Sequence, residues 1–471
     1  AAKLGDAIGS QGNRAIDYWP DYGTQRTLVA CADGTLRKDN GAGAAWVTLV
    51  SGLTTTDAIP WWCRGGQESV GRARKVFYCD GVNAVRVLSG DGATVTTIAN
   101  PPADWAGANQ PTFLVQHQNY LFGGGNTNWA HGLYRSLNTD HENFLGTPYT
   151  RAIYPSDGSG ERLSAAVSFK TGIILWKYPA GVYFLDTSDA DPNNWAATKI
   201  GTPGASGPGC VLAIENDVLW VAPDGSYHLI SATDATGSVR AEDLAYRKLG
   251  NFPRESMNLS RLTSADLIYY AHKQEVHLAY SASGQTTKER RLVTDFNLKR
   301  TIGERWLLWD RDRNEALFLR KKSGVEILAM VDNSGQVWEL DQATRSKDGA
   351  GYTFEWFLHD TDFSVVVPGW QGRIKNFDFA QLEYDPKGDA THTVEVWRDG
   401  ALKQTLTFSL TGGAVTLPAV LPFTLGVDTL KTTVRKLLNG QATRVALRGY
   451  TTQAGKDVSL TRLLIGARLA E

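Results

Sequence analysis

Acidic side chains are densest in the loop Asp186–Asp191, which holds three aspartates within six residues. Calcium is bound by several carboxylate and carbonyl oxygens, and a single loop can supply them. This loop lacks the glycine and the distal glutamate of an EF-hand. We therefore expect a solvated turn here, and the sequence predicts neither a metal ion nor a cofactor.

The same loop is loosely similar to the Asp-box turn of sialidases, since Trp195 follows it, but the tryptophan comes one residue too late. A sialidase also needs an arginine cluster and a Tyr–Glu pair that converge at the centre of a ring. Other glycosidases need two carboxylates at a fixed separation. Neither arrangement is recognisable from the order of residues.

Histidine and cysteine, the usual ligands of transition metals, are scattered along the chain. His272 and His277 lie five positions apart in strand-like surroundings, so on one uninterrupted strand they would face opposite sides. The cysteines form no CxxC pair, and we interpret them as buried free thiols. These cysteines are Cys31, Cys63, Cys79 and Cys210.

Motifs for nucleophilic catalysis and nucleotide binding are missing from the sequence. The glycines at 123–125 follow a strand pattern, but no helix pattern follows them, which favours a loop over a phosphate cradle. Trp61, Trp62 and Trp370 would suit a sugar-stacking lectin site, although core packing or subunit contact is the favoured interpretation. We predict that the protein is not an enzyme and has no catalytic residue.

One apolar segment, residues 363–370, combines four large apolar side chains with a tryptophan beside a Pro-Gly turn. Such a segment, if exposed in a monomer, would promote aggregation. It is therefore either a buried strand or a subunit interface. The interface candidates are Phe363, Val365, Val366, Val367 and Trp370.

Composition excludes several classes of protein. The formal net charge of the 471 residues is -1, without the basic excess of a DNA-binding domain. No stretch of about 18 apolar residues is present, so no membrane span is predicted. The 48 glycines and 15 tryptophans indicate tight turns between aromatic strands. Because the sequence opens with Ala1, we expect further residues upstream.

Alternating strands joined by tight polar turns dominate the chain. Asp33-Gly34 separates two apolar runs, and the same pattern returns at Asp80-Gly81 and Asp224-Gly225. About seven such units occupy residues 26–341, at the spacing of propeller blades. Radial packing covers both faces of each small sheet. The sequence predicts an all-β fold, a β-propeller of about six to eight blades.

The propeller is predicted to span residues 26–341, after an N-terminal segment at residues 1–25. A polar, glycine-bearing stretch at 342–351 is interpreted as a linker. Alternating strands resume at 352–471, which we predict to be a separate antiparallel β-sandwich-like domain. Helix is expected to be scarce, and residues 241–247 are the best helix candidate.

Several segments occur in a characteristic order along the chain. They are Lys3–Gly5, Gln25–Ala30, Asp33–Leu36, Trp46–Leu49, Ile173–Trp176, Gly181–Leu185, Gly207–Cys210, Asn216–Val221, Asp224–Gly225, Thr294–Asn297, Arg305–Trp306, Gly335–Asp341 and Leu464–Leu469. In this order they resemble the tail nozzle or tail hub proteins of podoviruses, the short-tailed bacteriophages. The resemblance covers most of the chain, with diffuse motifs.

The resemblance implies a structural virion protein that forms a homohexameric ring below the portal and adaptor. Such a ring extends the DNA channel, retains the genome and opens for ejection. The implied partners are further copies of the chain, the head-to-tail adaptor, tail fibre or spike proteins, and genomic DNA that passes without specific binding. Residues 1–25 would join the platform region. The protein would be assembled in the host cytoplasm and reside in the virion tail.

Two alternatives come from different classes of protein. One is a carbohydrate-active propeller enzyme, similar to a glycosidase or a sialidase. The other is a glycan-binding tail module. A six-fold ring would favour the tail nozzle, a monomer with glycosidase activity the enzyme, and a trimer that binds cell-surface glycan the binding module.

Overall fold

The computed structural model describes most of the chain. The described residues are 2–18, 25–40, 45–66, 75–90, 92–138, 140–145, 161–215, 217–230, 245, 249–296, 306–309, 316–322, 324–340, 354–361, 367, 369–385, 390–410, 432–438, 440–451 and 459–470. Two compact units divide the chain, one of residues 3–341 and one of residues 342–471 with residues 1–2.

The first unit consists of seven small antiparallel sheets. Blade 1 contains β2 (Gly12–Tyr18), β3 (Arg26–Cys31), β4 (Leu36–Asp39) and β5 (Trp46–Val50). Blade 2 contains β6 (Trp61–Gly65), β7 (Lys75–Cys79), β8 (Arg86–Leu88) and β9 (Val95–Thr97). Blade 3 contains β10 (Phe113–His117), β11 (Tyr120–Gly124) and β12 (Leu133–Arg135). Blade 4 contains β13 (Arg162–Phe169), β14 (Gly172–Tyr178), β15 (Val182–Asp186) and β16 (Ala197–Gly201).

The remaining three sheets complete the series. Blade 5 contains β17 (Val211–Ile214), β18 (Asp217–Val221) and β19 (Tyr227–Leu229). Blade 6 contains β20 (Asp266–Tyr270), β21 (Glu275–Ser281), β22 (Lys288–Asp295) and β23 (Trp306–Trp309). Blade 7 contains β24 (Ala316–Lys322), β25 (Val325–Val331), β26 (Val337–Glu339) and, at its outer edge, β1 (Ala2–Lys3). The described helices are α1 (Phe252–Ser256) and 3₁₀ turns at Pro192–Asn194, Pro208–Cys210 and Leu259–Ser264.

The first long strand of each blade contacts the first strands of both neighbouring blades. These contacts follow the order β2, β6, β10, β13, β17, β20 and β24, and they return from β24 to β2. The seven sheets therefore form a closed ring with these strands innermost. Among the described residues, strand accounts for 56% and helix for 5%, so the predicted all-β propeller fold is confirmed, and the described sheets form seven blades.

The N-terminal segment closes the ring by pairing with the last blade. Leu4 N–H donates to the Val337 carbonyl oxygen at 2.9 Å, and Ile8 N–H donates to that of Gly335 at 2.8 Å. Ile8 is buried in the core cluster that contains Val331 and Val337. The N-terminal segment thus forms the outer edge of blade 7 and holds this blade in place.

The predicted start of the propeller at residue 26 is corrected by this topology. Gly12–Tyr18 is the innermost strand of blade 1, and residues 2–8 lie along blade 7. The first strand was missed because Arg14 and Asp17 interrupt the apolar alternation of β2 with inward charges. The described residues 2–18 therefore contribute to two blades of the ring.

The Asp-Gly turns lie where the sequence predicted them. Gly34 joins β3 to β4 with a φ of +74°, which favours glycine. A Cβ at this position would also overlap the Leu53 carbonyl oxygen. Asp33 Oδ1 accepts the N–H of Thr35 at 3.1 Å, and Asp224 Oδ1 accepts that of Ser226 at the same distance in blade 5. The repeated aspartate therefore fixes the turn that the glycine permits.

Large apolar side chains fill the spaces between blades. The indole rings of Trp176 in blade 4 and Trp220 in blade 5 pack with centroids 5.8 Å apart, and both are fully buried. The predicted free, buried state of all four cysteines is confirmed. Among the described residues, no helix has the length and hydropathy needed to cross a bilayer.

The C-terminal unit consists of two antiparallel sheets. Its strands are β27 (Phe354–Thr361), β28 (Lys375–Asp385), β29 (Ala390–Arg398), β30 (Ala401–Leu410), β31 (Thr432–Leu437), β32 (Gln441–Ala442), β33 (Val445–Thr451) and β34 (Ser459–Leu469). One sheet has the order β27-β33-β29-β30, and in the other β28 pairs with β31, β32 and β34.

A shared core joins these two sheets into a sandwich. Phe377 and Leu382 from β28 pack in one buried cluster with Val396 from β29 and Phe408 from β30. The predicted antiparallel sandwich-like fold is confirmed for this unit. The predicted linker at 342–351 lies outside the described residues, as does the predicted helix at 241–247 except for Ala245.

Candidate functional site

The innermost strands of the propeller surround a cavity of about 950 Å³. Ligand pockets in proteins commonly measure about 300–1,000 Å³, so this cavity is at the upper end of that range. Charged side chains from four blades line it: Arg14 and Asp17 of blade 1, Arg64 and Lys75 of blade 2, Asp266 of blade 6, and Arg320, Lys321 and Glu326 of blade 7. Charged side chains thus lie among apolar ones at the centre of the ring.

Asp266 is the anchor of one wall. Its carboxylate lies 2.8 Å from Arg14 Nη1 and 2.6 Å from Lys288 Nζ, and its Oδ2 accepts the N–H of Leu317 at 3.1 Å. The side chain is 1% exposed. A buried carboxylate needs such partners, because an unpaired charge is costly away from water. Asp266 therefore connects blades 1, 6 and 7 rather than offering a free carboxylate.

Arg14 is held from three further directions. Its Nη2 donates to the Ala265 carbonyl oxygen at 3.0 Å, and its guanidinium stacks over the Trp61 ring at 4.9 Å. Gly209 passes so close that a Cβ would overlap both the Ala265 carbonyl oxygen and the guanidinium. The φ of Gly209 lies outside the left-handed region, so the close approach of the two backbones, and not the backbone conformation, requires glycine here.

Asp17 lies in the opposite situation, buried without a full set of partners. Its Oδ2 accepts the N–H of Lys321 at 2.9 Å, while its Oδ1 has no hydrogen-bond partner among the described residues. Burial raises the pKa of this carboxyl to about 7, although the Lys321 N–H and the charges of Arg320 and Arg64 oppose the increase. Asp17 is therefore close to half-protonated at neutral pH.

Two cations beside Asp17 lack a carboxylate partner. Arg64 Nε donates to the backbone oxygen of Asp17 at 3.1 Å, and Lys321 supplies the backbone N–H described above. Both side chains are exposed, and neither forms an ion pair with a described carboxylate. By contrast, Lys75 pairs with Glu142 and Arg320 pairs with Glu339. The wall around Asp17 therefore carries the excess positive charge of the cavity.

The acidic side chains of the loop Asp186–Asp191 form hydrogen bonds within the loop and with the residues that follow it. Asp189 accepts the N–H of Asp191 at 2.8 Å and the amide of Asn194 at 3.0 Å, and the Trp195 indole donates to the Asp189 backbone oxygen at 2.8 Å. The loop is a turn, as predicted. Within the described part of the chain, no three candidate metal ligands lie close together.

The structure corrects two interpretations of individual residues. His272 lies in the turn between β20 and β21, whereas His277 lies within β21, so the two are not on one uninterrupted strand. Gly123 and Gly124 belong to strand β11 rather than to a loop. At Gly123 a Cβ would lie 2.7 Å from the Trp105 ring, so the bulky neighbour, rather than a turn, explains this glycine.

The tryptophan pair divides between the core and the cavity. Trp62 is buried against Tyr78, which confirms core packing for this residue. Trp61 is half-buried, lines the cavity and donates from its indole to the Leu114 carbonyl oxygen at 3.0 Å.

Only part of the predicted interface segment can be located. Phe363, Val365 and Val366 lie outside the described residues. Val367 is exposed and Trp370 is half-buried, and the Trp370 N–H donates to the Val367 carbonyl oxygen at 3.2 Å. These two residues form a turn, so the sequence prediction of an interface here stays a prediction.

Sequence reasoning missed the central cavity altogether. Its residues come from strands far apart in the sequence, as with Asp17 and Lys321, which are 304 positions apart. The available signal was a charged residue inside an otherwise apolar strand, such as Asp17 in β2 or Asp266 at the start of β20. A propeller directs its innermost strands at the axis, so these charges mark the ring centre.

Comparisons with known proteins found structural likeness only, at low similarity. No protein-family model and no curated protein matches the sequence. Structurally similar chains include YCF48 from Cyanidioschyzon merolae, with 8% identity, 72% of this chain covered, 98% of that one and a TM-score of 0.43. A chain of the mitotic checkpoint complex has 11% identity, 72% and 93% coverage and a TM-score of 0.43. The computationally designed Ika8 protein has 11% identity, 72% and 100% coverage and a TM-score of 0.41. Likeness at this level carries no functional information.

Proposed function

We propose that this chain is a structural virion protein, the subunit of a tail nozzle or hub ring in a short-tailed bacteriophage. Its partners are other copies of itself, the head-to-tail adaptor and the tail fibres or spikes. Its role is to extend the DNA channel, retain the genome and open for ejection. The resemblance in the order of sequence segments carries this proposal.

Those segments occupy positions of structural importance in both units, which supports the proposal. Ile173–Trp176 forms the fully buried part of β14. Gly207–Cys210 includes Gly209, which lies against Arg14 and Ala265. Leu464–Leu469 belongs to β34, which pairs along most of β28.

Exposed apolar side chains on the C-terminal unit also support assembly with other chains. Leu437 is 68% exposed, Ile374 is 51% exposed and Leu402 is 46% exposed. Large apolar side chains that remain at the surface mark contact surfaces more often when they lie close together. The net charge of -1 is compatible with a channel that lets DNA pass.

Native mass spectrometry combined with negative-stain imaging tests the proposal. The expected result is a ring with six-fold symmetry and a central hole. A monomer that hydrolyses a glycan would replace the proposal with the enzyme alternative. A trimer that binds cell-surface glycan would replace it with the glycan-binding module.

A matched pair of variants tests the interface candidate. Val367→Asp places a charge on the exposed turn of the C-terminal unit, and Val325→Asp does the same at an exposed valine of blade 7. We expect Val367→Asp to shift the ring toward monomers, while Val325→Asp leaves the mass unchanged. An intact ring in the Val367→Asp variant would exclude Val367 from the interface.

A further inference from the structure

The cavity at the centre of the propeller plays no part in ring assembly as proposed above, yet it has the features of a ligand site. Three neighbouring blades bring Arg64, Asp17 and Lys321 to one wall. The backbone of Asp17 accepts from Arg64, and its carboxyl accepts from the backbone of Lys321. These bonds fix the two basic residues on either side of Asp17.

The electrostatics of this wall favour an anion. Arg64 and Lys321 line the cavity and have no described carboxylate within ion-pair distance, whereas Arg14, Lys75 and Arg320 are already paired. Glu326, opposite Lys321 in the ladder between β24 and β25, is a further carboxylate of the lining. An arginine and a lysine on one wall can bind an oxyanion through charge-assisted hydrogen bonds. The Asp17 carboxyl repels a bound anion least when it is protonated.

The remaining lining indicates a ligand larger than a simple ion. The cavity measures about 950 Å³, and Ile16, Leu267 and Tyr269 add apolar and aromatic surface to it. Asp17 is 3% exposed and has an oxygen without a described partner. Buried polar atoms are nearly always hydrogen-bonded. This oxygen is itself buried from the cavity, so the contacts offered to a ligand are those of Arg64, Lys321 and the apolar and aromatic lining.

We infer that the central cavity binds an organic anion, a carboxylate or a phosphate on a sugar-sized body, with its anionic group at the wall that carries Arg64 and Lys321. The body of the ligand lies against the apolar and aromatic lining. This site is independent of the proposed tail function, because a ring can assemble whether or not the cavity is occupied.

Isothermal titration of the full chain tests the inference with three probes: glucuronate, glucose 6-phosphate and glucose. Binding of either anionic sugar, with no binding of glucose, supports it. Glucuronate alone would identify a carboxylate ligand, and glucose 6-phosphate alone a phosphate ligand. Failure of both anions to bind at millimolar concentration, or equal binding of glucose, would overturn it.

Lys321→Gln and Lys322→Gln provide a matched pair for the same titration. Lys321 lines the cavity, whereas the adjacent Lys322 pairs with Glu339 and is not part of the lining. Loss of one charge-assisted hydrogen bond should weaken binding roughly tenfold to hundredfold in Lys321→Gln. Lys322→Gln should bind like the wild type, and an equal effect of both variants would refute the assignment.

Arg64→Gln serves as a second variant on the same wall. It should also weaken binding of the anionic sugar by roughly tenfold or more. Because Arg64 holds the Asp17 backbone, circular dichroism must first show that this variant is folded. A folded Arg64→Gln protein with wild-type affinity would overturn the inference.

Discussion

Replacing Asp17 with asparagine should remove a pH dependence from the stability of the propeller. The carboxyl is 3% exposed, and its burial raises its pKa from 3.8 to about 7. Asparagine has nearly the same shape, and its amide oxygen can accept the N–H of Lys321. The substitution therefore removes the titration while preserving most of the packing.

The sign and size of the effect follow from proton binding. The unfolded chain releases the Asp17 proton near pH 4, whereas the folded chain keeps it until about pH 7. Between these values the folded state binds the additional proton, so the free energy of unfolding decreases as pH rises. The full pKa difference corresponds to about 4 kcal/mol, of which about 3 kcal/mol falls between pH 5 and pH 8.

Urea unfolding at pH 5 and pH 8, followed by tryptophan fluorescence, measures this difference. Of the 15 tryptophans, 12 precede residue 342, so the signal reports mainly on the propeller. From pH 5 to pH 8, Asp17→Asn should gain about 3 kcal/mol of stability relative to the wild type. Parallel pH dependence of the two proteins would refute the reasoning, because it would show that burial does not raise this pKa.

Asp186→Asn is the control for that experiment. The backbone N–H of Ser188 lowers the pKa of this exposed carboxyl. Its stabilising effect is therefore complete above the unfolded pKa and is lost only as pH falls further. Between pH 5 and pH 8 the control should follow the wild type.

Three further predictions concern the ring and its core. Asp266→Asn should lower the free energy of unfolding by about 3–5 kcal/mol, because it leaves Arg14 and Lys288 without their carboxylate. The control Asp224→Asn removes an exposed ion pair and should lower it by less than about 1 kcal/mol. Similar losses for the two variants in urea unfolding would contradict the role of Asp266. Gly209→Ala should lower the melting temperature much more than Gly132→Ala, whose Cβ would lie 3.3 Å from its nearest neighbour. Equal shifts of the melting temperature would contradict the close approach of the backbones at Gly209. At pH 8 an aromatic disulfide reagent should not label the folded protein, since burial raises the pKa of the thiols, to about 12 for Cys63, and should label four thiols after unfolding.

The parts of the fold that could be predicted from the sequence are those set by local chemistry. Asp33-Gly34 and Asp224-Gly225 encode turns within a few residues, and the apolar runs beside them encode strands. Each of the seven predicted units corresponds to a different blade. Strand β2 carried a weaker signal, because Arg14 and Asp17, which line the central cavity, interrupt its apolar alternation.

The candidate site could not be predicted because it exists only when the ring is closed. Asp17, Arg64 and Lys321 are unremarkable in their own segments, and nothing in local spacing relates them. Their proximity depends on blade 7 meeting blade 1, a contact that links opposite ends of the propeller. Only a count of inward charges on the first strand of every blade would have pointed to this wall.

Pairing of the first strand with the last blade also constrains biosynthesis. Gln336 contacts the backbone of Gly5 across 331 positions. A nascent chain cannot make that contact until nearly the whole propeller has left the ribosome. Until then, β24 and β2 each lack one of their two neighbouring blades, and unclosed intermediates of this kind are prone to misassembly. We expect the ring to close only after most of the chain has been translated.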